Sequence, residues 1–116
     1  MKQPETVKEA VSKLMEMITP QYKMKLKNTE EEDLISFHDT LGRSIRNEFG
    51  MWQKNKDLLS DCLKLIKRKY PASYEEMKSF YKVPRIKLIH PDDASMVVIK
   101  EFRAKINKQL NKKKLA

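Results

Sequence analysis

One cysteine, two glycines, one tryptophan and two histidines occur in the 116 residues of this chain. A lone Cys62 excludes an intramolecular disulfide and a cysteine-based zinc site. It also fits a reducing, cytoplasmic setting. With only Gly42 and Gly50, no glycine-rich phosphate loop can be built. There is no His-Glu-x-x-His run and no evident Ser/His/Asp set around His38 or His90. No apolar stretch approaches the roughly 18–20 residues needed to span a bilayer. The start, Met1-Lys2-Gln3-Pro4-Glu5, is not followed by the apolar stretch of a signal peptide. Alternating strand patterns are almost missing. These absences point away from an enzyme, a cofactor or a bound metal.

What remains is helical, charged and basic. The formal net charge is +9, and its distribution says more than its size. Residues 1–63 carry 10 basic and 11 acidic groups, whereas 64–87 carry eight basic and two acidic, and 100–116 seven basic and one acidic. Such an excess suits phosphates, an acidic protein or anionic lipid, or is merely a solvated surface. Lysine supplies 20 of the 25 cations, and lysine is less apt than arginine for bidentate phosphate recognition.

Apolar residues recur at helical spacing from Val7 to Ile18, through Val7, Ala10, Val11, Leu14, Met15 and Ile18. Thr19-Pro20 stops that helix and opens a second, with Tyr22 and Leu26 on one face. Thr29 with Glu32 reads as a capping box for a third helix over 30 to 49, burying Leu34, Phe37, His38, Leu41, Ile45 and Phe49. Gly50 is placed to end it in a left-handed conformation. A fourth helix is expected over 56 to 70, with Leu59, Cys62, Leu63 and Ile66 inward, and Pro71 ends it. Ser73 with Glu76 reads as a second capping box, starting a short helix that carries Met77, Phe80 and Tyr81. Residues 83–89 have extended character but no strand to pair with. His90-Pro91-Asp92-Asp93 then opens the last helix, whose apolar face is Val98, Ile99, Phe102, Ile106 and Leu110. The expected architecture is an all-α, compact single-domain bundle of five or six helices. One helical domain covers 3–110, the third and last helices are central, and 111–116 form a basic C-terminal tail that frays into solvent.

Two runs stand out from what folding alone requires: Leu41-Gly42-Arg43-Ser44-Ile45-Arg46-Asn47-Glu48-Phe49-Gly50-Met51-Trp52, and His90-Pro91-Asp92-Asp93-Ala94-Ser95. On a helix, Arg43, Arg46 and Asn47 share a face opposite the buried Leu41, Ile45 and Phe49. Two guanidinium groups and an amide can hold a phosphate, a carboxylate or a partner's acidic side chain. Alternatively, Asp39 pairs with Arg43 four residues on, and Arg46 pairs with Asp92 or Asp93. Gly42 inside a helix costs about 1 kcal/mol relative to alanine, which close approach of another segment would explain. Trp52 is either a core lid or an interface anchor. His38 sits on the apolar face, where a hydrogen-bonded core histidine is the expectation. Adjacent Asp92 and Asp93 do not share one helical face, so no metal-ligand spacing results. Cys62 reads as an inert core thiol.

The two runs resemble a family of small uncharacterised bacterial domains that share a leucine-glycine pair, an isoleucine-arginine-asparagine triplet, a glycine-leucine/methionine-tryptophan end and a later histidine-proline-aspartate-aspartate turn. The likeness covers roughly Pro4 to Leu110. By that pattern the counterparts are His38, Gly42, Ile45, Arg46, Asn47, Gly50, Trp52, His90, Pro91, Asp92, Asp93 and Ser95. Ser44 departs from it, where an aromatic is common, and extra residues fall between Pro71 and Ile89. The resemblance implies a group of proteins and no activity.

From these features the expected function is a non-enzymatic bacterial protein-binding module, of accessory or immunity type. Arg43, Arg46, Asn47, Trp52, His90, Asp92 and Asp93 would engage a protein with an acidic surface. The alternative is sequence-independent nucleic-acid binding through Lys64, Lys67, Arg68, Lys69, Lys108, Lys112, Lys113 and Lys114, with Tyr70, Tyr74 and Tyr81 available to stack on bases.

Overall fold

The computed structural model describes residues 3–53 and 55–115, the side chains of 111–115 excepted. Each helix begins where local chemistry lets it. The first, α1 (Val7–Met17), is capped by Thr6, whose hydroxyl accepts from the Glu9 N–H at 3.1 Å. Helix α2 (Pro20–Lys27) has proline at its first position, and Thr19 accepts from the Tyr22 N–H at 3.2 Å. Helix α4 (Lys56–Lys69) follows the buried Asn55, which accepts from Leu58 N–H and donates to the carbonyls of Pro4 and Phe49. That one amide therefore caps a helix and pins the N-terminal segment to the chain's middle. Helix α5 (Pro71–Tyr81) and helix α6 (Pro91–Leu115) again start on proline.

The expected third helix is not continuous. A 3₁₀ segment (Glu31–Phe37) leads into a π turn (His38–Gly42), and only then comes the short α3 (Arg43–Glu48). The predicted capping box at its start is also not formed. Thr29 Oγ1 instead donates to the Lys25 carbonyl at 2.8 Å, so the end of α2 has already taken it. The π turn changes the angular spacing of its residues, and Asp39 and Arg43 form no ion pair among the described residues. Gly50 does close the segment with φ of +68°. The second expected box fails too, because Pro71 starts α5 two residues ahead of Ser73.

Helix α6 is the central element and packs against α1, α2, α3, α4 and the π turn. Its Val98, Ile99 and Phe102 are completely buried, beside Leu26, Leu34, Ile45, Leu58 and Cys62 from the surrounding helices. Full burial of each large side chain contributes about 1.5–3 kcal/mol. Helix α5 differs: it packs on α4, buries no residue completely, and leaves Phe80 79% exposed and Tyr81 at the surface. These two lie at the helix's far end, just before Lys82 takes up a left-handed conformation (φ +57°) and turns the chain away. The following connector, 82–90, is irregular, as its lack of a partner strand predicted. Its Ile86 and Ile89 are buried, and Ile86 N–H donates to the Tyr74 hydroxyl at 3.1 Å. No strand occurs among the described residues.

Candidate functional site

The fold brings the two unusual runs together. Arg46 on α3 is only 5% exposed, and its guanidinium lies against the π turn and the first turns of α6. Nη1 donates to Ser95 Oγ at 3.0 Å, and Nη2 donates to the His38 carbonyl at 3.1 Å. Ser95, itself completely buried, donates its hydroxyl hydrogen bond to the Asp92 carbonyl at 3.0 Å. Gly42 makes room for this arrangement. A Cβ there would lie 3.0 Å from Arg46 Nη1, 3.3 Å from the Phe37 carbonyl oxygen and 3.6 Å from Ser95 Oγ.

The protonation pattern follows from the bonding. Arginine can only donate, so His38 Nδ1 accepts from Arg46 Nη1 at 3.4 Å. The His38 proton then sits on Nε2, which faces Asp92 Oδ1 at 4.0 Å. His90 Nδ1 likewise accepts, from the Asp92 N–H at 3.0 Å, and so caps the first turn of α6. Asp92 is the hub: its Oδ1 lies 3.5 Å from Arg46 Nε, its N–H donates to His90 and its carbonyl accepts from Ser95. Arg46 Nε is buried without a hydrogen bond, so its interaction with Asp92 is ionic in character. One guanidinium and one carboxylate thus balance, between two imidazoles that each use Nδ1 as an acceptor. The arrangement is a clasp that joins α3 to the start of α6; it leaves no open arginine fork for an outside phosphate.

Outward from the clasp, the ring of Trp52 meets His90 edge-on, with centroids 5.7 Å apart. Trp52 is 54% exposed, so it is not a core lid. Beyond His90 the connector 82–90 forms an open cleft of about 770 Å³, lined by Tyr81, Val83, Pro84, Arg85, Leu88 and His90 among others. Leu88 is 69% exposed, and Phe80 packs edge-on against Tyr81 with ring centroids 5.0 Å apart. Asp93 does not join the clasp; it accepts from the Tyr81 hydroxyl at 3.0 Å. Partial burial first, then that bond and the charges of Asp93 and Asp92, hold the Tyr81 phenol above its ordinary pKa. Arg43 and Asn47 are exposed and take no part in the clasp's bonds among the described residues. The structure therefore links Arg46, Asp92, His90 and Trp52, and separates Arg43, Asn47 and Asp93 from them. His38 and Ser95, absent from the expected contact set, are integral. Their signal was spacing: His38 lies two turns before Arg46, and Ser95 three residues after Asp92.

The candidate basic residues divide as well. Lys64, Lys67 and Arg68 are exposed on α4, but Lys69 is paired with Glu101 at 2.8 Å. Arg68 and Lys108 line a groove of about 370 Å³ between α1, α4 and α6, together with Lys8, Lys105, Asp61 and Glu101. The side chains of Lys112, Lys113 and Lys114 lie outside the described residues. Tyr70 is covered by Lys69 and Lys100, and Tyr74 by Lys67 and Lys78, at 5.0 to 5.7 Å from ring centroid to Nζ. Burial, then the hydrogen bond to Glu101, keeps the Tyr70 phenol protonated beyond its ordinary range. Burial, aided by Asp61, pushes the Cys62 thiol up to about 12, as an inert core thiol requires. No group of three or more potential metal-ligating side chains occurs among the described residues, and none of their helices is long and apolar enough to cross a membrane.

Searches of curated proteins and of solved structures returned no match. A family profile does match, over residues 3–77, and so covers more than half of the chain. It takes in Gly42, Arg46 and Trp52 and stops before the His90 turn, a shorter span than the motif resemblance implied. On that match the chain belongs to the family described as a domain of unknown function, DUF6794.

Proposed function

We propose that this domain is a non-enzymatic bacterial protein-binding module that engages a partner with an acidic surface, in an accessory or immunity-type role in the cytoplasm. The observation that carries the reading is a linked, exposed apolar face. Trp52 touches His90; His90, Leu88, Val83 and Tyr81 line one cleft; Tyr81 touches Phe80. Beside it, Lys82, Arg85 and Lys87 are exposed and form no ion pair among the described residues. Exposed patches rimmed by polar groups mark interaction sites, and tryptophan and arginine are the anchors such sites favour. Unpaired cations select acidic partners and speed their encounter. In this reading Arg46 and Asp92 are internal and position His90 under Trp52, while Trp52 and His90 make contact; Arg43 and Asn47 flank as exposed polar groups. Both imidazoles are already engaged and the thiol is buried, which supports a role without catalysis.

The test is a tagged pull-down from lysate of the source organism, with and without nuclease, using the wild type and Trp52→Ala. A stoichiometric protein that survives nuclease and is lost with Trp52→Ala is the expected result. Equal recovery by both proteins would remove this face from the reading.

A second reading, sequence-independent nucleic-acid binding, draws support from the gathering of Arg68, Lys108, Lys8 and Lys105 at one groove. Lys64, Lys67 and the tail lysines would extend it. Its affinity should fall with salt at a log–log slope of about −0.7 to −0.9 per phosphate contacted. Asp61 and Glu101 in the same groove, and lysines over Tyr70 and Tyr74, weigh against it. A flat salt response, or no binding at low salt, excludes it.

A further inference from the structure

We infer that the acidic surface fitting the connector cleft is carried by a second copy of this same chain, docked head to tail through residues 30–35. The inference rests on the docking-surface reading above and names the partner of that surface. Two unsatisfied and complementary surfaces exist on one molecule. On the basic side, Lys82, Arg85 and Lys87 stand around the exposed Leu88 and Val83 without an ion pair among the described residues. The connector there makes no main-chain to main-chain hydrogen bond from 84 to 89 among the described residues, and its Ile86 N–H is taken by the Tyr74 hydroxyl.

On the acidic side, Glu30, Glu31, Glu32 and Asp33 are four successive exposed carboxylates, and none is in an ion pair among the described residues. Ile35, just after them, is 65% exposed. Leu34 and Phe37 of the same 3₁₀ segment are buried, so the acids and Ile35 are presented on an anchored support. Binding such a segment orders little that is not already ordered, which favours association. Charges therefore match cations to carboxylates, and Ile35 supplies the apolar side chain that the Leu88 and Val83 cleft lacks.

Among the described residues the two surfaces form no bond with each other in one chain, so joining them takes a second copy. The contact is heterologous: one face of each copy meets a different face of the next, and assembly grows into rings or open chains instead of stopping at a two-fold dimer. A stable interface of ordinary size buries about 800 Å² per partner, roughly a tenth of this chain's 7936 Å² surface. One cleft and one short segment fall at or below that size. The association is accordingly weak, and the measurement must reach high concentration.

Sedimentation velocity on the full chain from about 10 to about 500 μM, at about 50 and about 500 mM salt, tests this. The expected result is a weight-average mass that rises with concentration past the dimer and falls back with salt. Arg85→Glu with Lys87→Glu should weaken association at least about tenfold, and so should Glu31→Lys with Glu32→Lys. Mixing the two double variants should restore it, because each reversed face then meets its complement. All four positions are exposed, and circular dichroism verifies the fold of each variant. Restoration on mixing is a gain that misfolded proteins cannot produce. A wild type that stays monomeric throughout overturns self-docking, as does association that both charge reversals leave unchanged. The broader reading fails separately, when Trp52→Ala captures the same proteins as the wild type.

Discussion

Replacing Gly42 by alanine should destabilise this protein, although the backbone argues the opposite. Gly42 has helical dihedrals, φ −58° and ψ −45°, where alanine is favoured over glycine by about 1 kcal/mol. Against that gain stands the space. The new Cβ would lie 3.0 Å from Arg46 Nη1 and 3.3 Å from the Phe37 carbonyl oxygen. The carbonyl belongs to the main chain and yields little. The guanidinium is the tip of a flexible side chain, but here it is buried and held by Ser95 and by the carbonyl and ring of His38. Overpacking a filled site costs about 1–3 kcal/mol, and a weakened hydrogen bond to a charged group up to about 1.5–3 kcal/mol. Setting these against the helical gain leaves a net loss of about 1–2 kcal/mol. For a domain of this size that lowers Tm by about 4–8 °C. Urea denaturation of Gly42→Ala, alone and in an Arg46→Ala background, measures both the loss and its origin. In that background the loss should shrink by about 1 kcal/mol, because the tightest contact is gone while the helical preference remains. A Gly42→Ala protein as stable as the wild type, or one whose loss is identical in both backgrounds, would refute the reasoning.

The clasp is asymmetric, and chemical denaturation should show it. Arg46→Ala leaves buried partners unsatisfied and should cost about 2–4 kcal/mol, whereas Asp92→Asn, at a half-exposed carboxylate, should cost about 1 kcal/mol or less. Equal losses would mean that the ionic contact, and not the hydrogen bonds to Ser95 and His38, holds α3 to α6. Alkaline pH should destabilise the fold in a defined window. The Cys62 thiol is raised from 9.0 to about 12, so the unfolded chain releases this proton first. The stabilisation it represents is complete below about pH 9 and is lost as pH rises toward about 12, with Tyr70 adding in the same direction above its ordinary value. Thermal melts between pH 8 and 11 should therefore fall more steeply for the wild type than for Cys62→Ala with Tyr70→Phe. Parallel slopes would show that neither group contributes.

Much of the helical plan was readable because its signals are local. Thr19-Pro20, Pro71 and Pro91 act through their own φ angles and missing N–H groups, and Gly50 through its freedom at positive φ. The apolar positions Val7, Leu14, Leu34, Phe37, Ile45, Ile66, Val98 and Phe102 followed from 3.6-residue spacing and are all buried. The third helix was misread because periodicity cannot distinguish an α-helix from a 3₁₀ segment that widens into a π turn. Thr29 was claimed by the preceding helix, and Phe80 and Tyr81 stay at the surface because they lie at the far end of α5, which packs mainly on α4. Within the candidate site, both arrangements left open for Arg46 were physically sound. Burial and the bonds to Ser95 and His38 make it internal, whereas Trp52 lies outside the core.

By itself the sequence determined that this chain is helical, where most helices begin, and which side chains avoid water. Those outcomes depend on neighbours three or four residues apart and on the backbone limits of proline and glycine. Only the tertiary structure decided that Arg46 and His38 meet the 90–95 turn in one clasp, and that the cations of 82–87 have no ion pair among the described residues beside an exposed apolar face. Partners 49 residues apart, such as Arg46 and Ser95, meet only because α6 packs through the centre of the bundle. No local preference of either segment encodes that crossing.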